Sequence, residues 1–190
     1  METLTFANDR IRCLPGAFST EECASFVHLA EGVGWQAAPV TTSVGFVMMP
    51  EVRNNTRVIV DDASRAAALW DRLAPRIPQR IGRFRAVGLN ERLRFYRYDP
   101  GQFFAWHRDG AFHRRDGDQS LVTLMIYLND GFEGGSTDFD DEATGAPVSV
   151  VPEQGMVLLF HHRLRHQGAP VLRGVKLVLR TDVMYRRDAA

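Results

Sequence analysis

The chain has 190 residues, of which 45% are apolar and 24% are charged. This composition excludes a disordered chain and a collagen-like fibre, and the length suits one domain better than two. The 23 basic residues (Lys and Arg) balance the 23 acidic ones, which argues against a dedicated binder of nucleic acid or of an anionic membrane. No apolar run reaches the roughly 18 residues of a membrane span, the first residues lack the apolar segment of a secretory signal, and two cysteines make no disulfide framework. We therefore expect a single cytoplasmic domain over residues 1–190.

The first part of the chain, up to about residue 85, is predicted to form helical support with one strand. Ser19 and Glu22 have the spacing of a capping box, and Gly32 and Gly34 are predicted to end the helix. The apolar residues of this first helix are Cys23, Phe26, Val27, Ala30 and Val33. A second helix is predicted to start near Asp61 or Asp62 and to end before Pro75, with an apolar face made of Ala66, Leu69, Trp70 and Leu73. The segment 52–60 between the helices is predicted to be a strand.

From about residue 86 to 186 the pattern changes to short strands separated by turn residues. The predicted strands lie near 91–98, 121–128, 136–139, 148–151, 156–161 and 175–185. Glycine and proline stand between them, as in Gly134-Gly135 and in Gly168 with Pro170. Short strands at this spacing indicate a β-sandwich or barrel, with the helices packed on one face.

Two of these strands have one apolar face and one polar or mixed face. The second face carries Thr123, Met125 and Tyr127 in one strand and Lys176, Val178, Arg180 and Asp182 in the other. Alternate residues of a strand point to opposite sides of the sheet, so each set shares a side. Such a polar side either meets solvent or lines a polar pocket inside a barrel, and the strand pattern leaves both possibilities open.

His107 and Asp109 stand two residues apart, after an apolar and aromatic strand, and are candidate metal ligands. In extended backbone, residues i and i+2 share a face, so both side chains can reach one cation. His166 is the best third ligand, although His161 and His162 are alternatives, and a His-x-Asp pair alone is a weak signal. Two histidines and one carboxylate form the facial triad of non-haem Fe(II) oxygenases, which leaves three coordination positions open.

Four segments in the right order resemble motifs of the Fe(II)/2-oxoglutarate-dependent dioxygenases of the prolyl 4-hydroxylase type. They are Tyr-Asp-Pro-Gly-Gln-Phe-Phe-Ala-Trp-His-Arg-Asp (98–109), the strand that contains Thr123 and Tyr127, the turn Glu-Gly-Gly-Ser-Thr-Asp-Phe (133–139), and His-Gln-Gly-Ala-Pro-Val (166–171) with Lys176 ten residues after His166. The likeness covers about residues 90–185. It implies a mainly β (α+β) fold, the double-stranded β-helix or jelly roll, with N-terminal helices packed on one sheet.

The resemblance also implies the cofactors and their residues. His107, Asp109 and His166 are expected to bind Fe(II), and Lys176 is expected to neutralise the distal carboxylate of 2-oxoglutarate, the co-substrate. Tyr127 and Tyr98 are candidates for hydroxyl contacts to this co-substrate. The alternative for both is a core tyrosine whose hydroxyl is satisfied locally. Ascorbate is a possible requirement for sustained turnover.

Three other polar residues have less certain roles. Arg180 shares a face with Lys176, so it either faces the iron-bound carboxylate or a substrate acid, or is a surface arginine. His162 fits the closing motif less well than His166, so we expect it to be structural or to support the ligands. Related enzymes that halogenate lack the carboxylate ligand, so Asp109 favours hydroxylation, or demethylation triggered by hydroxylation.

Few residues point to the substrate. The run Arg53-Asn54-Asn55 with Arg57 resembles an Arg/Lys-Asn-Asn segment near the site of some bacterial relatives, and alternation allows only Arg53 with Asn55, or Asn54, to face inward. We assign Arg53 and Asn55 to the substrate. The polar loop 109–119 is either a lid or an exposed connector. The expected reaction hydroxylates a peptidyl or free amino acid or another small metabolite with dioxygen, and prolyl hydroxylation follows from the family name alone.

Two other functions stay open at this stage. An oxidative demethylase of nucleic acid or of small molecules would use the same chemistry, but the balanced charge argues against nucleic acid, because phosphate contacts supply most of that affinity. A barrel that binds a metal or ligand without turnover is the other possibility, and the complete triad and basic anchor argue against it. The sequence does not indicate an oligomeric state.

Overall fold

The computed structural model describes residues 3–42, 45–140, 145 and 147–188. In this part of the chain the helices are α1 (Thr20–Glu31) and α2 (Ala63–Leu73), which continues into a short 3-10 helix at Ala74–Arg76. The strands are β1 (Leu4–Phe6), β2 (Ile11–Leu14), β3 (Gln36–Ala37), β4 (Val40–Thr42), β5 (Gly45–Val47), β6 (Thr56–Asp61), β7 (Arg80–Ile81), β8 (Phe84–Leu89), β9 (Arg92–Tyr98), β10 (Phe104–His107), β11 (Gln119–Tyr127), β12 (Glu133–Gly134), β13 (Thr137–Asp140), β14 (Pro147–Val150), β15 (Val157–His161), β16 (Arg165–Gly168), β17 (Val171–Arg173) and β18 (Lys176–Arg187). Neither α-helix is long and apolar enough to span a membrane.

Both helices form where the sequence places them, because their caps are local. The Ser19 hydroxyl accepts from the Glu22 amide, and the Glu22 carboxylate accepts from the Ser19 amide, which completes the capping box of α1. Asp62 caps α2 by accepting from the Arg65 amide. Val33 is the exception: it lies beyond the end of α1 and is exposed rather than packed on the core.

The larger sheet has ten strands in the described part of the chain. Its order is β1-β2-β15-β11-β18-β9-β6-β3, and β8 pairs with the C-terminal half of β18 and with β7. The outer face of this sheet packs on α1 and α2 through the larger apolar core, which includes Leu69, Leu93, Leu124 and Leu179. The first 85 residues therefore contribute strands to the main sheet as well as helical cover.

The smaller sheet has four strands in the order β10-β16-β13-β14 and faces the larger one. A second apolar core that includes Tyr127, Phe139, Phe160 and Val178 fills the space between the two sheets. Two facing antiparallel sheets with long crossings between them form the jelly roll that the sequence motifs imply. The polar face of β11 and β18 turns into this space, so it lines a buried pocket and does not meet solvent.

Several strand boundaries differ from the prediction. The predicted strand 52–60 begins only at Thr56, and Arg53 instead forms a single bridge with Phe104. His166 lies outside the predicted strands, but the structure places it inside β16, where pairing with both β10 and β13 extends the backbone. Strands β1, β2 and β8 were not predicted, because short segments without periodicity become strands only through a partner that is distant in sequence.

Candidate metal centre and its two cavities

Three candidate ligands converge at the end of the smaller sheet. His107 is the last residue of β10, and His166 is its direct partner in the antiparallel neighbour β16. Asp109 follows His107 by two residues, and its amide donates to the His162 carbonyl at 3.2 Å. One donor atom from each of the three side chains lies within 4.8 Å of the other two. The spacing seen in sequence thus becomes a compact set of two imidazoles and one carboxylate that could hold a metal ion.

Backbone carbonyls fix the orientation of both imidazole rings. His107 Nδ1 lies 2.8 Å from the Ala105 carbonyl, and His166 Nδ1 lies 3.0 Å from the Leu164 carbonyl. A carbonyl only accepts, so each Nδ1 carries the proton and each Nε2 keeps its lone pair. These Nε2 atoms face the Asp109 carboxylate at 3.6 Å and 3.7 Å. This is the tautomer that a metal ligand needs.

The protonation states also suit a metal. Burial lowers the pKa of His166 to about 4, despite the opposing effect of Asp109, so the ring is neutral at pH 7. Burial would raise the pKa of Asp109, but the Arg180 guanidinium and the two histidines hold it well below its usual value. A neutral imidazole and an ionised carboxylate are the forms that coordinate a cation without first losing a proton.

Two side chains from the larger sheet hold the Asp109 carboxylate. The Thr123 hydroxyl on β11 donates to Asp109 Oδ2 at 2.5 Å, and Arg180 Nη2 on β18 lies 3.1 Å from Asp109 Oδ1. Arg180 also contacts Asp182 Oδ1 at 3.3 Å. Of the alternatives open for Arg180, the structure excludes a surface arginine, because its side chain is buried between these carboxylates.

The two alternative histidines lie outside this set. His161 is the last residue of β15, and His162 follows it. Neither joins the ligand cluster in the described residues. His162 is buried with both ring nitrogens unpartnered at hydrogen-bond distance, and its Nε2 is 3.7 Å from Asp182 Oδ1. His162 therefore packs beside the cluster and supports Asp109 through its backbone carbonyl.

Lys176 points into a small cavity on one side of the cluster, which we call the lysine pocket and which Tyr98, Thr137, Gly168 and His166 also line. Lys176 is 3% exposed. Its ammonium donates to the Gly135 carbonyl at 2.5 Å and lies 5.4 Å from the ring centroids of both Tyr98 and Tyr127. No carboxylate in the described part of the chain pairs with it. Burial consequently lowers the pKa of Lys176 to about 7, although Asp138 opposes this shift.

The turn Gly134-Gly135 lets the backbone reach the lysine side chain. Both residues have positive φ, which glycine adopts without strain. A Cβ on Gly135 would stand 3.2 Å from Lys176 Cδ, and a Cβ on Gly134 would stand 2.5 Å from the Pro170 carbonyl oxygen. The two glycines of this motif are therefore required by close packing around the lysine pocket.

The two candidate tyrosines have different surroundings. The Tyr127 hydroxyl is 2.7 Å from Thr137 Oγ1, so it has a local partner, and burial raises its pKa. Tyr98 is the direct β9 partner of Lys176 and lines the lysine pocket. Both tyrosines thus lie beside the ammonium, and Tyr98 is the one that borders the cavity itself.

A second and larger space opens on another side of the cluster, which we call the arginine cavity. Its volume is about 430 Å³, and its lining includes His107 and Asp109 together with Arg53, Arg57, Arg94, Arg108 and Arg180. Arg53 and Asn55 are both buried, with Arg53 Nε donating to Asn55 Oδ1 at 2.7 Å. Asn54 instead accepts from the Phe103 amide. Of the two sets that alternation allowed, Arg53 with Asn55 is the one that faces inward.

Sequence reasoning missed three contributors to this site. Thr123 and Phe104, whose ring stacks on His107 at 3.6 Å between centroids, show no local signal for their contacts. Arg57 lay in the polar run but was not assigned. One available signal was overlooked: Lys176 is the only lysine in the sequence, and every other basic residue is arginine.

Comparisons with known proteins agree with the motifs. Residues 93–181 match the sequence model of the 2OG-Fe(II) oxygenase superfamily. Prolyl 4-hydroxylase 1 of Arabidopsis thaliana is 28% identical over 88% of this chain and 66% of its own length. Probable prolyl 4-hydroxylase 11 of the same plant is 35% identical, over 47% of this chain. The chain spans just under two thirds of the length of the first of these plant relatives.

Solved structures show the same fold at low sequence identity. A prolyl 4-hydroxylase from Pseudomonas putida superposes with a TM-score of 0.68 at 21% identity, over 95% of this chain and 94% of the other. The viral collagen prolyl hydroxylase of Paramecium bursaria Chlorella virus-1, solved as its 2-oxoglutarate complex, gives a TM-score of 0.64 at 20% identity, over 92% of this chain and 95% of the other. The jelly-roll architecture is therefore common to these proteins and to this chain.

Proposed function

We propose that this chain, a prolyl 4-hydroxylase-like member of the 2OG-Fe(II) oxygenase superfamily, hydroxylates a C–H bond of a small or peptidyl substrate. In the overall reaction, 2-oxoglutarate, dioxygen and the substrate C–H give succinate, carbon dioxide and the substrate alcohol. We treat residues 1–190 as a single oxygenase domain for this purpose. The observation that carries the proposal is a His107-Asp109-His166 cluster beside a buried lysine that has no carboxylate partner among the described residues.

The donor set fits ferrous iron. Two neutral imidazoles and one ionised carboxylate suit a divalent metal of intermediate softness, and three ligands leave open positions for a co-substrate and dioxygen. We assign His107, Asp109 and His166 as the ligands. When bound there, ferrous iron supplies the redox chemistry that couples decarboxylation of 2-oxoglutarate to hydroxylation. The other contributions come from the side chains around it.

The lysine pocket fits the distal carboxylate of 2-oxoglutarate. A buried ammonium without a counter-ion is costly, so an anionic group that enters the pocket regains the lost interaction energy. We assign Lys176 to this carboxylate, with hydroxyl contacts from Tyr98 and Tyr127. The pocket has a volume of about 30 Å³.

The remaining residues position and protect the reacting groups. Thr123 and Arg180 hold the Asp109 carboxylate in one orientation, and the two backbone carbonyls hold the imidazole rings. The apolar rings of Phe104, Phe139 and Phe160 surround the histidines and keep water from the cluster. Such positioning and exclusion of water are the protein's part in a reaction whose difficult step the cofactor performs.

Succinate formation in the presence of Fe(II), 2-oxoglutarate and ascorbate tests the proposal. We expect the wild-type chain to form succinate slowly alone and faster with a substrate from a peptide and metabolite screen, and we expect His107→Ala to lose both. His28→Ala is the matched control, because His28 is an exposed histidine of α1. Unchanged succinate formation by His107→Ala would show that the assignment is wrong. The absence of an absorption band on anaerobic addition of Fe(II) and 2-oxoglutarate would favour a barrel that binds without turnover.

A further inference from the structure

The arginine cavity is large enough to hold a substrate. Its volume of about 430 Å³ falls within the range of about 300–1,000 Å³ for small-molecule sites. It reaches the cluster at His107 and Asp109. It shares Asp109 and Arg180 with the lysine pocket, but Lys176 does not border it. The residues around this cavity therefore face any substrate that approaches the metal ligands from this side.

Two of the arginines that line the cavity lack a carboxylate partner among the described residues. Besides Arg108, four arginines border it together with two carboxylates, those of Asp109 and Asp182. Asp182 lies 3.1 Å from Arg94 and 3.3 Å from Arg180, so it already forms ion pairs with two guanidinium groups. Asp109 contacts Arg180 and belongs to the metal cluster. Arg53 and Arg57, by contrast, have no carboxylate at ion-pair distance in the part of the chain that the structure describes.

Two aromatic rings and one amide contact the Arg53 side chain, which has no carboxylate partner among the described residues. Its guanidinium carbon lies 4.4 Å from the ring centroids of both Tyr96 and Phe104, and its Nε donates to Asn55. The side chain is 5% exposed, yet its Nη2 has no hydrogen-bond partner among the described residues. A buried charged donor without a partner costs free energy, and such groups are typical of ligand sites.

Arg57 adds a second positive charge to the same region. It is half-buried, and its guanidinium lies 5.6 Å from the Phe46 ring centroid. Burial lowers the pKa of Arg57, and the nearby Arg53, Arg94 and Arg92 add to the effect. Burial would raise the pKa of Tyr96, but Arg53, Arg180 and Arg94 hold it below its usual value. The shift of the Tyr96 pKa has the sign expected of a positive potential inside the cavity.

We propose that the substrate carries a carboxylate that binds Arg53 and Arg57 while the reacting C–H bond faces the metal cluster. Guanidinium groups bind carboxylates through two parallel hydrogen bonds, so they fix orientation as well as charge. Phe104 contacts both Arg53 and His107 and so sets the distance between the anchored group and the cluster. This inference rests on the proposed function and adds the chemical class of its substrate. The carboxylate could be the α-carboxylate of a free amino acid or an acidic side chain of a peptide.

Matched ligand pairs that differ by one negative charge test this proposal. In one arm, each free amino acid, including L-proline, is compared with its carboxamide. In the other arm, N-acetylated and C-amidated Glu-Pro-Gly peptides are compared with Gln-Pro-Gly peptides. Dissociation constants are measured by calorimetry on the wild-type chain loaded with Mn(II) and 2-oxoglutarate without oxygen, so that no turnover is needed. We expect the charged member to bind at least about tenfold more tightly in one of the two arms.

Variants of Arg53 and Arg57 test whether these two residues cause the preference for the charged member of each pair. Arg53→Met keeps an unbranched apolar side chain between the rings, and Arg57→Gln alters a half-buried position that tolerates substitution, so at least one of the two is expected to fold. Each is expected to reduce the preference for the charged member to less than about threefold, whereas the exposed Arg80→Gln is expected to retain it. Equal binding of charged and neutral members by the wild type, no binding by any charged member, or full discrimination by both variants would overturn the proposal. If the wild type forms no succinate at all, the proposed function has failed instead.

Discussion

The lysine pocket and the arginine cavity are two solutions to the same problem, a buried cation that needs an anionic partner. The lysine pocket is small, with a volume of about 30 Å³, and holds one compact ammonium against a glycine carbonyl. The arginine cavity is larger, with a volume of about 430 Å³, and holds planar guanidinium groups, one of them between aromatic rings. A small pocket suits the end group of a co-substrate that never varies. A larger cavity with a fixed charge suits a substrate that is recognised by one group while the rest can differ.

The candidate ligand cluster lies between the lysine pocket and the arginine cavity. Asp109 lies between the two spaces and borders both of them. Arg180 borders both as well, but it is neutralised by Asp109 and Asp182. Lys176 on one side and Arg53 with Arg57 on the other have no carboxylate partner among the described residues, and the cluster lies between them. Under the proposed function, the co-substrate and an acidic substrate would therefore bind different cations.

We expect the largest effect from removing the Asp109 carboxylate, which borders both the lysine pocket and the arginine cavity. We expect Asp109→Ala to lower succinate formation at least about 100-fold, because it removes a ligand and leaves Arg180 with one carboxylate fewer. Mn(II) affinity and succinate are measured together, with the exposed Asp71→Ala of α2 as the matched control. Retained Mn(II) affinity in Asp109→Ala would remove Asp109 from the ligand set.

The next effect separates the two sides. We expect Lys176→Met to weaken 2-oxoglutarate binding about 100-fold, because it removes the buried charge that faces the distal carboxylate. Arg53→Met is expected to change the same dissociation constant by less than about threefold, since Arg53 does not border the lysine pocket. Calorimetry on Mn(II)-loaded protein measures both. If the two variants lose 2-oxoglutarate equally, the division between the two spaces is wrong.

A smaller effect is expected at the threonine that orients Asp109. Thr123→Val keeps the shape of the side chain but removes the donor to Asp109 Oδ2, and we expect metal affinity to fall about tenfold. Thr181→Val is the matched control, because Thr181 is equally buried but donates to the Asn90 carbonyl on the other face of the sheet. A loss of the same size in both variants would indicate a general loss of stability, which a thermal melt would reveal.

The last prediction concerns stability and pH rather than binding. The pKa of Lys176 is about 7 in the folded chain, against an ordinary value of 10.5. Between these values the unfolded chain binds a proton that the folded chain does not, so the stability without ligand rises with pH. The slope from this group is at most about 1.4 kcal/mol per pH unit. Urea denaturation between pH 7 and pH 9 measures it, and the difference between wild type and Lys176→Met isolates it. No difference in slope between the two would show that Lys176 titrates normally.

Sequence was sufficient where the signal is local or periodic. The caps at Ser19 and Asp62 set the helix starts, and the alternation in β11 and β18 assigned Lys176 and Arg180 to one side of a sheet. The short spacing of His107 and Asp109 also indicated a shared face. These features depend on neighbours within a few residues, so the sequence contains the information that determines them.

Sequence was insufficient where a contact joins distant segments. Nothing near Thr123 indicates that its hydroxyl meets Asp109, and nothing near Arg53 indicates that Tyr96 and Phe104 enclose it. The role of Arg180 stayed open for the same reason, since a strand pattern gives the side of a sheet but not the partner across it. The short strand β2 likewise joins the sheet through its pairing with β15, and β1 joins it through its pairing with β2.

The single lysine has a practical consequence. Every other basic side chain is a guanidinium, so reagents that modify amines can reach only the α-amino terminus and the ε-amine of Lys176. An ε-amine is acylated only where the reagent can reach it, and Lys176 is buried in the lysine pocket. Acylation followed by peptide mass spectrometry would therefore report directly whether this one position is covered or free. The chain carries a built-in chemical reporter of occupancy, with no tag or engineered residue required.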